Sequence, residues 1–125
     1  MKTLINGKDP ALAIAEEAKR QIKAMNPSIR MEDYEKPEDI PGFLEIMKRP
    51  CGIGMDRTDP KRYREIRQKM NRTLKLRKSA IIDFRRYDDG RQSVAALANI
   101  RNKAGKLELQ ELWEEDIQWD VFIEP

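Results

Sequence analysis

The strongest constraint on the fold is a long amphipathic segment that begins at Asp59-Pro60. An aspartate accepts hydrogen bonds from the free N–H groups at a helix start, and proline is preset for the first helical position. Apolar side chains then recur at helical spacing as far as Phe84. The pattern predicts one continuous helix over residues 60–87, with an apolar stripe made of Tyr63, Ile66, Met70, Leu74, Ile81 and Phe84.

The same signals predict a second helix near the N-terminus and a shorter one in the middle of the chain. Asp9-Pro10 starts a helix over residues 10–25, and Asn26-Pro27 ends it, because the residue before a proline is pushed out of the helical region. Residues 41–48 fit a short helix. Residues 50–54 contain Cys51 and two glycines, and we expect them to form a loop.

A helical hairpin is predicted after residue 87. Asp88, Asp89 and Gly90 supply turn chemistry, Ser93 can cap a helix through residue 104, and Gly105 can close it. Small side chains on this helix would let it lie close against the long one as an antiparallel partner; they are Ala95, Ala96 and Ala98.

The C-terminal segment leaves two interpretations open. Residues 107–115 fit a short helix, but LELQEL also alternates like a strand. Residues 117–123 alternate more regularly, which indicates a strand that could pair with residues 3–5. The resulting expectation is a mainly α fold, a single small helical domain over residues 1–125 built on the central helix and the helical hairpin. This fold could also include a short β pair formed by the two termini.

Charge is distributed unevenly along the chain, although the net charge is only +3. Residues 56–91 carry 13 basic and 6 acidic side chains, whereas the acidic segment 106–125 carries one lysine and 7 acids. If residues 60–87 were one helix, its polar residues would form a second stripe roughly 33 Å long, suited to a phosphate backbone or an acidic protein surface. The predicted basic face comprises Arg64, Arg67, Asn71, Lys75, Lys78, Arg85 and Arg86.

Three further residues are candidates for a protein interface. Arg77 falls within the apolar stripe, so its head must reach water or a carboxylate. Trp113 and Trp119 are the two bulkiest side chains of the acidic segment, and tryptophan is enriched at interfaces.

The composition excludes the commonest catalytic and metal sites. The chain has no histidine and one cysteine, so it cannot assemble a histidine-based triad, a Cys-His pair or a zinc site by itself. Aspartates and glutamates alone could still hold magnesium or act as acid and base, which leaves a small carboxylate enzyme as a third possibility. Our expectation is nevertheless no catalytic, cofactor-binding or metal-binding residues and no enzymatic activity. The lone Cys51 agrees with a reducing compartment, and no apolar run is long enough to span a bilayer. The expected location is the cytoplasm or a particle assembled there, without membrane association.

The leading expectation for function is a non-enzymatic binding or assembly protein that docks onto a larger macromolecular complex. A structural or accessory component of a virus particle is one such role. Its partners would be another protein or further copies of itself. The alternative is a regulator that binds nucleic acid through the basic face of helix 60–87. Few aromatic side chains interleave with the basic residues, so the stacking platform typical of single-strand binders is weak.

Overall fold

The computed structural model describes residues 2–125. Over that range the chain forms three α-helices and six strands, so the fold is mixed and the prediction of a mainly α fold is wrong. The helices are α1 (Pro10–Met25), α2 (Phe43–Met47) and α3 (Pro60–Leu76). The strands are β1 (Lys2–Ile5), β2 (Cys51–Met55), β3 (Ile81–Arg86), β4 (Gln92–Arg101), β5 (Leu107–Asp116) and β6 (Trp119–Ile123).

Four of the strands form one sheet in the order β1-β3-β4-β5, and β2 pairs with β6 in a second, two-stranded sheet. Strand β1 runs parallel to β3, whereas β3, β4 and β5 are antiparallel neighbours. Both terminal segments are strands as predicted. They do not pair with each other, however, so the expected β pair of the termini is wrong.

The chain divides into two compact units. The sheet unit contains the residues up to Asp9 and Met55–Asp120, and the helical unit contains Pro10–Gly54 and Val121–Pro125. Ile66, Ile82 and Val94 are fully buried in the sheet unit. The helical unit has its own apolar cluster, comprising Ala18, Ile22, Ile29, Ile40, Phe43, Ile46 and Ile123. A single folding domain over residues 1–125 stays a prediction.

The predicted helix 60–87 begins as expected but ends eleven residues early, at Leu76. The Asp59 carboxylate accepts a hydrogen bond from the Arg62 amide at 3.2 Å. At the other end Arg77 is extended, with φ −138° and ψ 91°. Residues 81–86 then form β3, which pairs with β1 on one side and β4 on the other. Pairing on both sides favours the β-branched pair Ile81-Ile82 in a strand and overrides the helical spacing.

The predicted helix 93–104 is also wrong, because these residues form most of strand β4. Ala95 and Ala96 are fully buried in the centre of the sheet, and Ala98 is 2% exposed. Gly105 lies in the turn between β4 and β5 at φ +79°, so its left-handed backbone serves a strand connection and not a helix end. The pairing of β4 with β5 resolves the open choice for residues 107–115 in favour of a strand.

Several local predictions are confirmed. Helix α1 occupies residues 10–25 as expected, and α2 lies within the predicted range 41–48. The turn at residues 88–90 connects β3 to β4, with Gly90 at φ +89°. The loop expected at residues 50–54 is wrong for residues 51–54, which belong to β2; there a Cβ atom on Gly52 would lie 3.2 Å from Cζ of Phe122. Among residues 2–125, no helix is both long and apolar enough to cross a bilayer.

Candidate nucleic-acid interface

Helix α3 is attached to strand β5 through its inner face. Ile66 and Met70 point inward and are 1% and 3% exposed. The Trp113 indole N–H donates to the Thr73 hydroxyl at 2.8 Å, and that hydroxyl donates to the Lys69 carbonyl at 2.8 Å. These contacts fix which side of the helix faces the sheet.

Glu115 provides a second attachment between the same two elements. Its carboxylate accepts from the Lys69 ammonium at 2.7 Å and from the Arg62 guanidinium at 2.8 Å. The hydrogen bond from Lys69, followed by the one from Arg62, lowers the pKa of Glu115 below its ordinary value of 4.5. One carboxylate of β5 therefore serves both inward-facing cations of α3.

The outer side of α3 carries cations that have no such partners. We call this surface the cationic face; it consists of Lys61, Arg64, Arg67, Arg72 and Lys75 of α3, together with Lys78 of the turn that follows. All six side chains are exposed, and within residues 2–125 none of them forms an ion pair. Glu65 is the one acidic residue of the helix, against seven basic ones. From Arg64 to Lys75 the face extends over roughly 17 Å at 1.5 Å per residue.

The structure brings together five of the seven residues predicted for the basic face. Arg64, Arg67, Asn71 and Lys75 lie on the exposed side of α3, and Lys78 follows its C-terminus. Sequence reasoning missed Lys61 and Arg72. At 100° per residue, four of these cations fall within about 80° of one another: Lys61, Arg64, Arg72 and Lys75. The helical spacing could therefore have placed Lys61 and Arg72 on this face.

Arg85 and Arg86 lie apart from this face, because they belong to strand β3. The Arg85 guanidinium is half-buried and pairs with three carboxylates, those of Asp83, Glu111 and Glu114. The Arg86 guanidinium carbon lies 5.0 Å from the centre of the Trp119 ring. The predicted 33 Å stripe is therefore wrong, and a shorter surface replaces it.

The three candidates for a protein interface have different surroundings. Arg77 is exposed at the C-terminal end of α3 and outside the apolar stripe. Trp113 is half-buried against α3, with its indole N–H bonded to Thr73. Trp119 is 4% exposed, packs edge-on against Phe84 at 5.7 Å between ring centres, and donates its indole N–H to the Arg85 carbonyl at 3.0 Å. The structure does not gather them on one surface.

Strand β5 belongs to the acidic segment 106–125, and most of its carboxylates form ion pairs or hydrogen bonds within the sheet unit. Glu114 accepts hydrogen bonds from the hydroxyls of Tyr87 and Ser93. The bond from Tyr87 has the largest effect on the pKa of Glu114, and together the two bonds lower that pKa although partial burial acts to raise it. Arg91 adds longer ion pairs, at 3.5 Å to Glu114 and 3.8 Å to Asp116. The cations that neutralise β5 thus come from the sheet and from the inner side of α3, which leaves the cationic face uncompensated.

Among residues 2–125, no group of three or more acidic or cysteine side chains is placed to hold a metal ion. The arrangement offers a rigid, exposed row of positive charge on a helix that is fastened to a sheet. Such a row is suited to binding a polyanion. No family model, curated protein or solved structure matches this chain.

Proposed function

We propose that this protein is a non-enzymatic binding protein that docks onto a nucleic-acid-containing assembly and contacts phosphates through the cationic face. One observation carries the proposal. The inward cations Arg62 and Lys69 are paired with Glu115, whereas the six exposed cations have no carboxylate partner in the described chain. A charge row that folding does not neutralise is available to an external anion.

The dimensions of the cationic face support a polyanionic partner. Duplex DNA carries about one negative charge per 1.7 Å of its axis, so a face roughly 17 Å long spans on the order of ten charges. Five phosphate contacts would give a slope of about −4.5 for the logarithm of the association constant against the logarithm of salt concentration. Raising salt from 50 to 200 mM would then weaken binding by roughly 500-fold.

A purely proteinaceous partner is less well supported. Interface energy is usually concentrated in a few aromatic or arginine side chains that become buried on binding. Trp119 is already buried in the sheet unit, and Trp113 is committed to Thr73 of α3. Half of the cationic face is lysine, which is depleted in protein interfaces, and α3 has no exposed aromatic side chain to accompany the three arginines.

The proposal is tested by fluorescence anisotropy with a 20-base-pair DNA duplex over a salt series. The double variant Arg67→Ala, Lys75→Ala removes two charges from the cationic face, and we expect the salt slope to fall by about 1.8. The control Lys36→Ala, Lys48→Ala removes two exposed charges from the helical unit and should keep the wild-type slope. Equal weakening by both pairs, or binding that does not depend on salt, would reject phosphate contact by this face.

A further inference from the structure

The β4–β5 hairpin extends beyond the rest of the four-stranded sheet. The last residue of β4 that pairs with β3 is Leu97, opposite Ile81. Beyond Ala98, β4 continues with β5 alone through the pairs Asn99–Leu109, Ile100–Glu108 and Arg101–Leu107. We call residues 99–109 the arm. Resting on the function proposed above, we propose that the arm is a second nucleic-acid contact, which enters the major groove of duplex DNA.

The tip of the arm is basic and exposed. Arg101, Lys103 and Lys106 lie within six residues, and the sequence has no acidic residue from Gln92 to Leu107. All three cations are exposed, and neither lysine forms an ion pair within residues 2–125. The nearest acid along the chain is Glu108, whose carboxylate accepts from the Gln110 amide at 2.7 Å. The tip therefore presents positive charge that no ion pair within residues 2–125 neutralises.

Hydrogen bonds hold the turn of the arm in one conformation. The Asn102 side-chain oxygen accepts from the amides of Ala104 and Lys106 at 2.9 and 3.0 Å. The Asn102 amide donates to the Lys106 carbonyl at 2.8 Å, and the Arg101 guanidinium donates to the Gly105 carbonyl at 2.7 Å. A preordered tip loses less conformational entropy on binding than a flexible loop with the same charges.

The shape of the arm selects duplex DNA among nucleic acids. A two-stranded ribbon fits the major groove of B-form DNA, which is about 12 Å wide. The major groove of A-form RNA is too narrow for side chains to enter. Single strands are usually bound by stacking on aromatic rings, and residues 99–109 contain no aromatic side chain.

The arm and the cationic face would touch the duplex at separate points. Thr73 of α3 is bonded to Trp113, and the strand from Trp113 to Lys106 covers roughly 23 Å at 3.3 Å per residue. At 3.4 Å per base pair, that distance corresponds to about seven base pairs. A DNA hairpin with a stem of about 6 base pairs is shorter than that separation and would engage the cationic face alone, whereas a 20-base-pair duplex would reach both surfaces.

Duplexes of these two lengths test the inference with the variant Lys103→Ala, Lys106→Ala. We expect its salt slope on the 20-base-pair duplex to fall by about 1.8 and its affinity for the hairpin stem of about 6 base pairs to stay within about twofold of wild type. The matched control is again Lys36→Ala, Lys48→Ala. Thermal denaturation checks that each variant folds, and the two substitutions at the exposed tip remove no buried side chain.

The outcomes separate the arm from the function on which it rests. If the tip variant binds the longer duplex like wild type while Arg67→Ala, Lys75→Ala loses affinity, the arm inference fails and the proposed function stands. If the wild-type protein binds neither duplex, the proposed function fails and the arm inference with it. Exposed Leu107 and Leu109 offer a protein contact instead. Self-association abolished by Leu109→Ser, with unchanged DNA binding by the tip variant, would overturn the groove assignment.

Discussion

Replacing Glu115 with glutamine should destabilise the protein at neutral pH but not at low pH. The change keeps the shape of the side chain and removes the charge that joins Arg62 and Lys69 to β5 at 2.8 and 2.7 Å. The Glu115 side chain is 26% exposed and its two partners 38% and 36%, so solvent screening reduces each pair to the range of surface salt bridges. Together they should contribute about 1 kcal/mol to the free energy of unfolding.

The pH dependence follows from the direction of the pKa shift. Lys69 and Arg62 lower the pKa of Glu115 in the folded chain, so its contribution to stability is complete above the unfolded value of 4.5. It is lost as pH falls through the lower, folded value. Urea unfolding should thus show a gap of about 1 kcal/mol between wild type and Glu115→Gln at pH 7, narrowing below pH 4.5.

Glu108→Gln is the matched control for this experiment, because Glu108 lies on the same strand and is exposed, with its hydrogen bond coming from Gln110. Its free energy of unfolding should stay within about 0.5 kcal/mol of wild type at every pH. The attachment of α3 through Glu115 is refuted if the two variants unfold alike at pH 7. A gap that stays constant down to pH 2 would equally contradict the electrostatic origin.

Three other substitutions test separate parts of the structure. Ile66→Ala should lower the free energy of unfolding by about 3 kcal/mol in urea titrations because Ile66 is 1% exposed, whereas Leu76→Ala at 85% exposure should change it by less than about 0.5 kcal/mol. Glu65→Gln removes the acid from the outer side of α3 and should tighten DNA binding in low salt, measured by anisotropy; unchanged affinity would argue against phosphate near that helix. In a Trp113→Phe variant, fluorescence from Trp119 should resist iodide quenching as its 4% exposure requires, and efficient quenching would contradict its burial.

Short-range signals predicted the starts of helices and the positions of turns. Asp59-Pro60 starts a helix through contacts with residues no more than three positions away, and the Asp59 carboxylate accepts a hydrogen bond from the Arg62 amide. The turn at residues 88–90 needs a left-handed backbone at Gly90, and glycine adopts that conformation because it has no side chain. Such features need no knowledge of distant segments, and they are recoverable from sequence alone.

Periodicity failed where a strand is covered on both faces. Residues 94–98 of β4 are all buried and all apolar, so their apolar character is continuous and does not alternate with polar positions. A run of this kind cannot be distinguished from a buried helix by its period. The helix-forming tendency of its three alanines then favoured the wrong element, because the segment that forms β3 was itself assigned to a helix and residues 107–115 were left open between helix and strand.

About half of the candidate site followed from the helical wheel. The exposed positions Arg64, Arg67 and Lys75 depend only on the periodicity of a helix that does form. Arg85 and Arg86 were assigned to the same face by extending that periodicity past Leu76, where the chain enters the sheet. The ion pairs of Arg85 with Glu111 and Glu114, and the contact of Arg86 with the Trp119 ring, join segments distant in sequence, which spacing along one segment does not encode.

The net charge of +3 says little about the binding surface, because folding decides which charges remain available. The β5 carboxylates Glu111, Glu114 and Glu115 are held by cations of the sheet and of the inner side of α3. Each of these acids is counted in the net charge, yet none of them pairs with the cationic face. Removal of the Glu115 carboxylate would leave two positive charges, those of Lys69 and Arg62, without their ion pair on the inner side of α3, but it would add nothing to the outer side. Affinity for a polyanion should therefore follow the charge of the cationic face and the arm, and not the charge of the whole chain.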